Sequence, residues 1–468
     1  MNTRLLLPAL LFASISLAAQ RPNIVCVFID DMGYSDIGCF AGEAKTPCID
    51  RMATEGIRFT QFYVNMPICS PSRCALLTGQ YPQRWKITSY LAERQANTKR
   101  GMAQWLDPKA PSIARALQAS GYATGHFGKW HLGGQRDVGE APLISEYGFD
   151  ESLTNFEGLG DRVLPIMGGV DGRPAKKNAL GVGSEKLGRG KIEWAPRHEV
   201  TERFVSRGIT FIKKAQQNKK PFFINLWPDD VHSPYSPPAG KAGNGTKRDL
   251  YIGVLENMDA QLGVLFDFIR NNEALRTNTV VMIASDNGYE PGAGTAKGFR
   301  GFKGLLYEGG IRSPLIMWAP GYQPNNTRGT KNEIAIFSSL DINRALYSIA
   351  GISVTAEPKL DGEDIKETLL GTATTGRAAP IFWKRPPDRK ESFGERNADL
   401  AVRDGQWKLL VDLDGSNVQL YNLTTDTAEA NNLATAQPAI TARLIKLVMD
   451  WNTSMPSENP LRHGASVK

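Results

Sequence analysis

The residues with the clearest chemical potential in this 468-residue chain are oxygen donors that follow two apolar runs. Asp30 and Asp31 end the run NIVCVFIDD, and Asp286 and Asn287 end the run TVVMIASDN. One such residue alone would carry little information, because Asp and Asn often form turns after strands. Two pairs together supply three carboxylates and one amide, which suit Ca²⁺ or Mg²⁺ well and Zn²⁺ poorly. We therefore predict a site for one hard divalent cation.

Two further apolar runs end in basic and imidazole side chains. YATGHFGKWH carries Lys129 and His131 at its end, and PFFINLWPDDVH ends at His232. Continuous apolar runs are typical of strands buried on both faces of a parallel sheet. Ligands bind at the carboxyl ends of such strands. Four strands with polar residues at the same end therefore predict one shared site.

A short helix with a cysteine at its start is the third candidate. Within PICSPSRCALLTG, Ser70 fits the N-cap and Pro71 the first helical position, so Cys69 is predicted just before the helix. Free N–H groups at that end favour an oxyanion, and Arg73 adds a guanidinium group. A Cys69 thiolate with a lowered pKa is one alternative. Cys74 is interpreted as a buried helix residue.

The segments between these runs predict helices, namely PSIARALQAS, VTERFVSRGITFIKKAQ and NMDAQLGVLFDFIRNN. Strands that alternate with helices predict an α/β fold with a large, mainly parallel sheet between helices. After about residue 350, AAPIFWKR, ADLAVRDGQWKLLVD and VQLYNLTTD predict a small antiparallel sheet, and ITARLIKLVMDWN predicts a helix on it. Residues 158–197 are rich in Gly, Lys and Arg and predict an irregular, substrate-facing insertion.

The composition and the N-terminus define the broad class of protein. A hydrophobic fraction of 41% and a charged fraction of 22% are typical of a globular chain. The net charge of +7 comes without a long basic run, which argues against a nucleic-acid partner and is compatible with an anionic substrate. MNTRLLLPALLFASISLAAQ has the layout of a signal peptide. We expect residues 1–19 to be removed from an exported, periplasmic or secreted protein without a membrane span.

The predicted domains are a catalytic domain over 20–350 and a C-terminal α+β subdomain over 351–468. Five cysteines leave one unpaired in an oxidising compartment. Cys39 and Cys48 flank a short loop and could form a bridge, which the sequence leaves open. Cys26 is interpreted as a core residue.

Taken together, the motifs resemble one family. CSPSR followed by LTG resembles the signature of the type I sulfatases, in which the cysteine of Cys-x-Pro-x-Arg is oxidised to Cα-formylglycine. Further similar blocks follow in the family's order, among them GYATGHFGKWHLG, SDNG, RGFKGLLYEGGIRSPLIMWAPG and LYNLTTDTAEANNLA. The resemblance covers nearly the whole chain and implies an alkaline phosphatase-like fold.

The resemblance also implies a role for each of these residues. The ligands that it implies for one Ca²⁺ are Asp30, Asp31, Asp286, Asn287 and the modified Cys69. The catalytic residues that it implies are Cys69, Arg73, Lys129, His131, His232 and Lys303. The cations among them would hold the formylglycine and the sulfate, and the histidines would act at the reacting centre.

The mechanism that the resemblance implies is covalent. The aldehyde of residue 69 hydrates to a diol, and one hydroxyl attacks sulfur to give a covalent sulfate intermediate. His232 is expected to protonate the departing sugar oxygen, and His131 to take the proton of the second hydroxyl as sulfate leaves. The implied partners are a sulfated carbohydrate and a formylglycine-generating or sulfatase-maturing enzyme.

Two alternatives remain at this point: a phosphomonoester or phosphonate ester hydrolase of the same fold, and an inactive homologue that binds sulfated glycans. Five histidines are few for a two-zinc site, which favours sulfate. Export, positive charge and the basic segment 176–191 favour a sulfated glycan, although the sugar and the sulfate position stay open. Trp227, Asp229 and Asp230 are predicted at the rim of the site, and His126 is predicted in the core or behind the reacting groups.

Overall fold

The computed structural model describes residues 21–169, 172–354 and 359–456. The predicted signal peptide, residues 1–19, lies outside these ranges. None of the helices within them is long and apolar enough to cross a membrane.

The described residues form eighteen strands. In chain order they are β1 (Asn23–Ile29), β2 (Ile57–Tyr63), β3 (Ala123–Gly128), β4 (Glu151–Leu153), β5 (Arg162–Met167), β6 (Lys176–Lys177), β7 (Ile192–Pro196), β8 (Phe222–Trp227), β9 (Thr279–Ser285), β10 (Arg312–Trp318), β11 (Thr330–Asn332), β12 (Phe337–Ser338), β13 (Ile381–Lys384), β14 (Glu391–Ser392), β15 (Glu395–Arg396), β16 (Leu400–Asp404), β17 (Trp407–Val411) and β18 (Gln419–Asn422).

The described α-helices number twelve. They are α1 (Pro47–Glu55), α2 (Cys69–Thr78), α3 (Arg94–Lys99), α4 (Ile113–Ala119), α5 (Ala179–Glu185), α6 (Val200–Gln217), α7 (Lys247–Arg270), α8 (Glu273–Arg276), α9 (Glu308–Ile311), α10 (Ser339–Ile349), α11 (Lys366–Leu369) and α12 (Pro438–Ser454).

Nine strands form the main sheet, in the order β11-β2-β10-β9-β1-β8-β3-β4, with β12 also paired to β2. The pairs from β9 through β1, β8 and β3 to β4 are parallel, and β10 is antiparallel to β9 and β2. Every residue of β1, β8 and β9 is buried, because apolar side chains pack against helices on both faces. Helices α2, α4 and α10 contribute to the core on one face, and α1, α6 and α7 to the core on the other. The predicted fold class is confirmed.

The C-terminal part forms a four-stranded antiparallel sheet in the order β13-β16-β17-β18. Helix α12 packs on it through Leu444, Val448 and Trp451, as the amphipathic pattern predicted. The short hairpin β14–β15 precedes β16.

A buried ionic cluster joins this small sheet to the main sheet. The Lys408 ammonium on β17 lies 2.8 Å from a Glu429 oxygen and 3.0 Å from a Glu308 oxygen. The Tyr63 hydroxyl on β2 donates to Glu308 at 2.6 Å, and Arg312 lies 3.2 Å from the same carboxylate. The side chains of Lys408, Glu308 and Glu429 are fully buried, so each charge depends on its neighbours for compensation.

The structure corrects one local expectation and answers one question that the sequence left open. Residues 158–197 are not irregular throughout, because β5, β6 and β7 form a three-stranded sheet with α5 against it. All five cysteines are free thiols, so no bridge joins Cys39 and Cys48. Cys26 is buried in β1, in agreement with the core assignment.

Candidate active site

The four apolar runs that end in polar residues are neighbours in the main sheet. Their order is β9-β1-β8-β3, and all four run parallel, so their carboxyl ends meet at one edge. The loops there are tied together: the Asp30 N–H donates to Pro228 O at 3.0 Å, and the Asp286 N–H donates to Ile29 O at 3.0 Å. The structure therefore brings the predicted strand-end residues to one place.

Three buried carboxylates form the centre of this place. Asp30, Asp31 and Asp286 each offer an oxygen within 4.8 Å of the others. The Asn287 amide donates to Asp31 Oδ1 at 2.7 Å, which brings its own oxygen to the cluster. Burial and the neighbouring Asp30 raise the pKa of Asp286 well above its ordinary value. Carboxylates buried this close together repel one another, so each needs positive charge beside it.

The donor set fits a hard divalent cation. Asp30 Oδ1 and Asn287 Oδ1 are buried and accept no hydrogen bond from the described residues. A buried oxygen without a partner is costly, and a metal ion would satisfy it. Carboxylate and amide oxygens are ligands for Ca²⁺ or Mg²⁺, and no histidine or cysteine belongs to this cluster of the described chain.

Three cations surround the carboxylates, and sequence analysis had singled out all three. Arg73 Nη2 lies 2.8 Å from Asp286 Oδ2, Lys129 Nζ lies 2.7 Å from Asp30 Oδ2, and Lys303 Nζ lies 2.7 Å from Asp31 Oδ1. The side chain of Arg73 is fully buried, and that of Lys303 is 17% exposed. The exposed fraction of the side chain therefore increases from Arg73 to Lys303, and Lys303 is the one of the three that lines the cavity.

Cys69 lies at the first turn of α2. The helix begins at Cys69 itself and Ile68 is its N-cap, so the expected start at Ser70 and Pro71 is wrong. The Ser70 hydroxyl instead accepts the Leu91 N–H at 2.9 Å, a tertiary contact that replaces the cap. Only 2% of Cys69 is exposed. Cys74, on the same helix, is buried as predicted.

The Cys69 sulfur is a neutral thiol at physiological pH. Burial raises the pKa of Cys69 to about 12, although Lys129 and Lys303 act in the opposite direction. Burial of Cys69 therefore argues against the alternative of a thiolate activated by the helix end. An unmodified Cys69 would be a poor nucleophile here.

The two site histidines present different nitrogens to the cavity. His232 donates from Nδ1 to Ser233 O at 2.7 Å, which leaves Nε2, 3.8 Å from Asp31 Oδ2, as the other ring nitrogen. His131 donates from Nε2 to Leu91 O at 2.8 Å and is 2% exposed. Burial lowers the pKa of His131 to about 3, so the ring is neutral and its Nδ1 carries a lone pair. His126 is buried among Trp130, Phe149 and Trp227, in agreement with its core assignment.

Glu157 is a site residue that sequence analysis missed. Its Oε2 lies 2.8 Å from Lys129 Nζ and 3.2 Å from His131 Nδ1. The backbone brings it there, because the His131 N–H donates to Glu157 O at 2.7 Å. Glu157 follows no apolar run and belongs to no motif quoted above, so nothing in the local sequence indicated this role.

The three residues predicted at the rim are buried instead. Trp227 packs under Arg73, whose guanidinium carbon lies 5.2 Å from the ring centre. Arg197 Nη1 pairs with Asp229 at 2.9 Å, and the Thr201 hydroxyl donates to Asp230. Arg197 lies in the turn before α6 and Thr201 in its first turn, and these partners hold both carboxylates in buried positions. The rim prediction is therefore wrong.

A cavity of about 180 Å³ opens onto Cys69, His131, His232 and Lys303. The remaining lining includes Tyr90, Arg136, Phe156, Asn178, Leu180 and Arg389, of which sequence analysis had not linked Tyr90, Arg136, Phe156 and Arg389 to the site. Asn178 and Leu180 belong to the segment that was expected to face substrate. Arg389 comes from the C-terminal part of the chain.

Known proteins resemble this chain over most of its length. A family model described as Sulfatase matches residues 22–352. Arylsulfatase A of Homo sapiens is 31% identical, with 94% of this chain and 83% of the human protein covered. The N-acetylgalactosamine-6-O-sulfatase of Bacteroides thetaiotaomicron is 28% identical, with 93% and 94% covered. The crystal structure of Ps i-CgsB with k-i-k-neocarrahexaose has a TM-score of 0.75 at 24% identity over 94% of both chains, which shows a shared fold.

Proposed function

Because the chain belongs to the sulfatase family, within the alkaline phosphatase-like superfamily, and is a sulfuric ester hydrolase, we propose that its substrate is a sulfated glycan. The observation that carries the proposal is a cavity lined by Cys69, His131, His232 and Lys303, where Lys303 together with the buried Arg73 and Lys129 pairs with the carboxylate cluster. The names of two similar proteins, an N-acetylgalactosamine-6-O-sulfatase and a protein bound to neocarrahexaose, support a carbohydrate substrate.

The metal in this proposal is one Ca²⁺. Asp30, Asp31, Asp286 and Asn287 would hold it, with residue 69 beside them, because their buried oxygens are hard donors. When bound, the ion supplies positive charge that polarises the sulfate ester. Lys129, Lys303 and Arg73 supply three further charges, all fixed by ion pairs before substrate arrives. Such preorganised charge stabilises the negative charge that builds up on sulfate oxygens.

We also propose that Cys69 is oxidised to formylglycine by a maturing enzyme. The hydrated aldehyde supplies a hydroxyl nucleophile and a second hydroxyl, which an unmodified cysteine lacks. The neutral thiol described above supports this view, because an unmodified Cys69 offers no thiolate at neutral pH. The first turn of α2 adds free backbone N–H groups beside residue 69.

The two histidines handle protons in this proposal. The His232 side chain is partly exposed and lines the cavity, so Nε2 can carry a proton to the departing sugar oxygen. His131 Nδ1 has a lone pair and can accept a proton on the residue 69 side of the cavity. Glu157 would then stabilise the imidazolium that forms, since its Oε2 lies 3.2 Å away.

In this proposal the chain has a catalytic domain and a C-terminal subdomain and is exported. Residues 20–350 carry the catalytic groups named above, and the subdomain 351–468 adds Arg389 to the cavity wall. The N-terminal sequence supports export of the chain, to the periplasm or the outside, after removal of residues 1–19.

The test combines mass spectrometry with sulfate release. Protein produced with a maturing enzyme should show the thiol-to-aldehyde mass change on the Cys69 peptide and release sulfate from defined sulfated sugars. Cys69→Ala should abolish release, whereas Cys74→Ala, on the same helix, should retain most of it. Metal analysis should find one calcium per chain, and chelation should lower the melting temperature. Full activity of Cys69→Ala would refute the modification, and stoichiometric zinc without calcium would refute the metal assignment.

A further inference from the structure

Two guanidinium groups lie at the mouth of the cavity, outside the cation set already described. Arg136 and Arg389 line the cavity together with Cys69 and Lys303. Their side chains are 27% and 35% exposed. The inner cations contact the carboxylate cluster at 2.7–2.8 Å, whereas neither rim arginine pairs with that cluster in the described chain.

The charges of these two arginines are poorly compensated. The closest carboxylate to Arg136 is Glu93, at 3.5 Å from Nε, and this buried Nε makes no hydrogen bond within the described residues. Arg389 Nη1 lies 3.9 Å from Asp388. That carboxylate is shared, because Arg100 lies 3.3 Å from it and the Ser89 hydroxyl donates to it at 2.7 Å. Two carboxylates therefore face three guanidinium groups.

The structure also holds Arg389 in place. Its Cδ packs so closely on Gly304 that a Cβ there would come within 3.2 Å. Its guanidinium carbon lies 5.7 Å from the Tyr90 ring centre, on a ring that Arg100 also contacts at 4.6 Å. Gly304 directly follows Lys303, so the stem of Arg389 packs next to a residue that lines the cavity. A guanidinium fixed in this way loses little freedom when it binds an anion.

We propose that Arg136 and Arg389 bind a second oxyanion of the substrate, next to the sulfate that is removed. The preferred substrate is then a glycan whose sulfated unit, or the unit joined to it, carries a further sulfate or a carboxylate. A guanidinium fork matches either group with two parallel hydrogen bonds. This inference rests on the proposed function of the same cavity and adds the class of glycan that it selects.

The experiment compares three substrates that share one scissile sulfate: a monosulfated sugar, a disulfated sugar, and a sulfated disaccharide with a uronate carboxylate. The wild type should favour one or both of the dianionic substrates by about tenfold or more in kcat/KM, since one charged contact is worth roughly that factor. Which of the two is preferred identifies the second anion as sulfate or carboxylate. Arg136→Gln and Arg389→Gln should each remove most of this preference, mainly through KM, and change the monosulfated reaction less than about twofold. Arg94→Gln, an exposed arginine paired with Glu140, is the matched control and should change neither reaction.

Two outcomes would overturn the inference. One is a wild type that treats all three substrates alike, and the other is an equal loss on all three substrates in the arginine variants. Calorimetry with Cys69→Ala protein and the same sugars measures binding apart from turnover. If no substrate releases sulfate but the dianionic sugars bind more tightly through Arg136 and Arg389, the proposed function fails and the anion subsite stands. If sulfate is released without such a binding preference, the subsite fails and the proposed function stands.

Discussion

Replacement of Glu157 by Gln tests whether this carboxylate positions Lys129 and His131. Glu157 Oε2 lies 2.8 Å from Lys129 Nζ and 3.2 Å from His131 Nδ1, both in buried surroundings. Gln has the same shape and can still accept a hydrogen bond, but it brings no negative charge. The fold should survive the change, because Lys129 keeps its contact with Asp30 at 2.7 Å.

The size of the effect follows from these two contacts. A hydrogen bond to a charged partner is worth about 1.5–3 kcal/mol, and a neutral one about 0.5–1.5 kcal/mol. The contact with Lys129, and the contact with His131 once its Nδ1 has accepted a proton, should each weaken by about 1 kcal/mol when the carboxylate becomes an amide. If both changes fall on the transition state, the barrier rises by about 2 kcal/mol and kcat falls about 30-fold. KM should stay constant or fall, since a carboxylate that repels the substrate sulfate has been removed.

The assay is steady-state kinetics on one defined sugar sulfate, with melting temperatures measured in parallel. Glu157→Asp should recover part of the loss, because it restores the charge at a shorter reach. Glu140→Gln, which removes an exposed carboxylate that pairs with Arg94, serves as the control. A wild-type kcat in Glu157→Gln, or a loss carried by KM alone, would refute the role of Glu157 as a positioning residue for Lys129 and His131.

Three further predictions concern stability and proton transfer. Lys408→Met leaves Glu308 and Glu429 buried without their shared cation, so it should destabilise the protein by about 3–5 kcal/mol. In a chain of this size that loss should lower the melting temperature by about 3–5 °C, and an unchanged value in calorimetry would contradict the cluster's role. Burial and the nearby Glu308 raise the pKa of Glu429 to about 7 despite Lys408. The folded state then holds this proton more tightly than the unfolded state does. The contribution of Glu429 to the free energy of unfolding should therefore be fully present below about pH 4.5. It should decline by up to about 3 kcal/mol as the pH rises through about 7. Glu429→Gln should flatten that decline in pH-dependent melting curves, and a parallel slope would show that other groups cause it. His232→Ala should impair a sugar sulfate far more than an activated aryl sulfate, whose leaving group needs no proton; equal losses on the two substrates would rule out His232 as the leaving-group acid.

The sequence predicted the inner part of the site because the relevant signals are local. Each of the four central strands is a continuous apolar run, and its functional residues follow within a few positions. Parallel strands bring such ends together without any further information. Asp30, Lys129 and Asp286 could therefore be placed at one sheet edge before any contact was known.

The outer part of the site depends on contacts between distant segments. Arg389 reaches the cavity because it packs on Gly304, and Glu157 does so through a backbone bond to His131. Neither position has a periodic pattern or a strand end beside it. Asp229 was misplaced for the same reason, since its proximity to His232 along the chain suggested the rim while Arg197 draws it inward. The start of α2 shifted because a tertiary bond to Leu91 replaced the local cap that Ser70 could have formed.

The burial of Cys69 sets a time limit on its proposed oxidation. Only 2% of the residue is exposed in the folded chain, so an enzyme that modifies it must act before the cavity closes. Closure requires Asp286, the partner of Arg73, which lies 213 residues further along the chain. At a synthesis rate of about 5–20 residues per second, that segment takes roughly 10–40 s to appear. During this interval the Arg73–Asp286 contact cannot form, and if the proposed oxidation takes place, a chain that folded first would keep a thiol that a maturing enzyme could no longer reach.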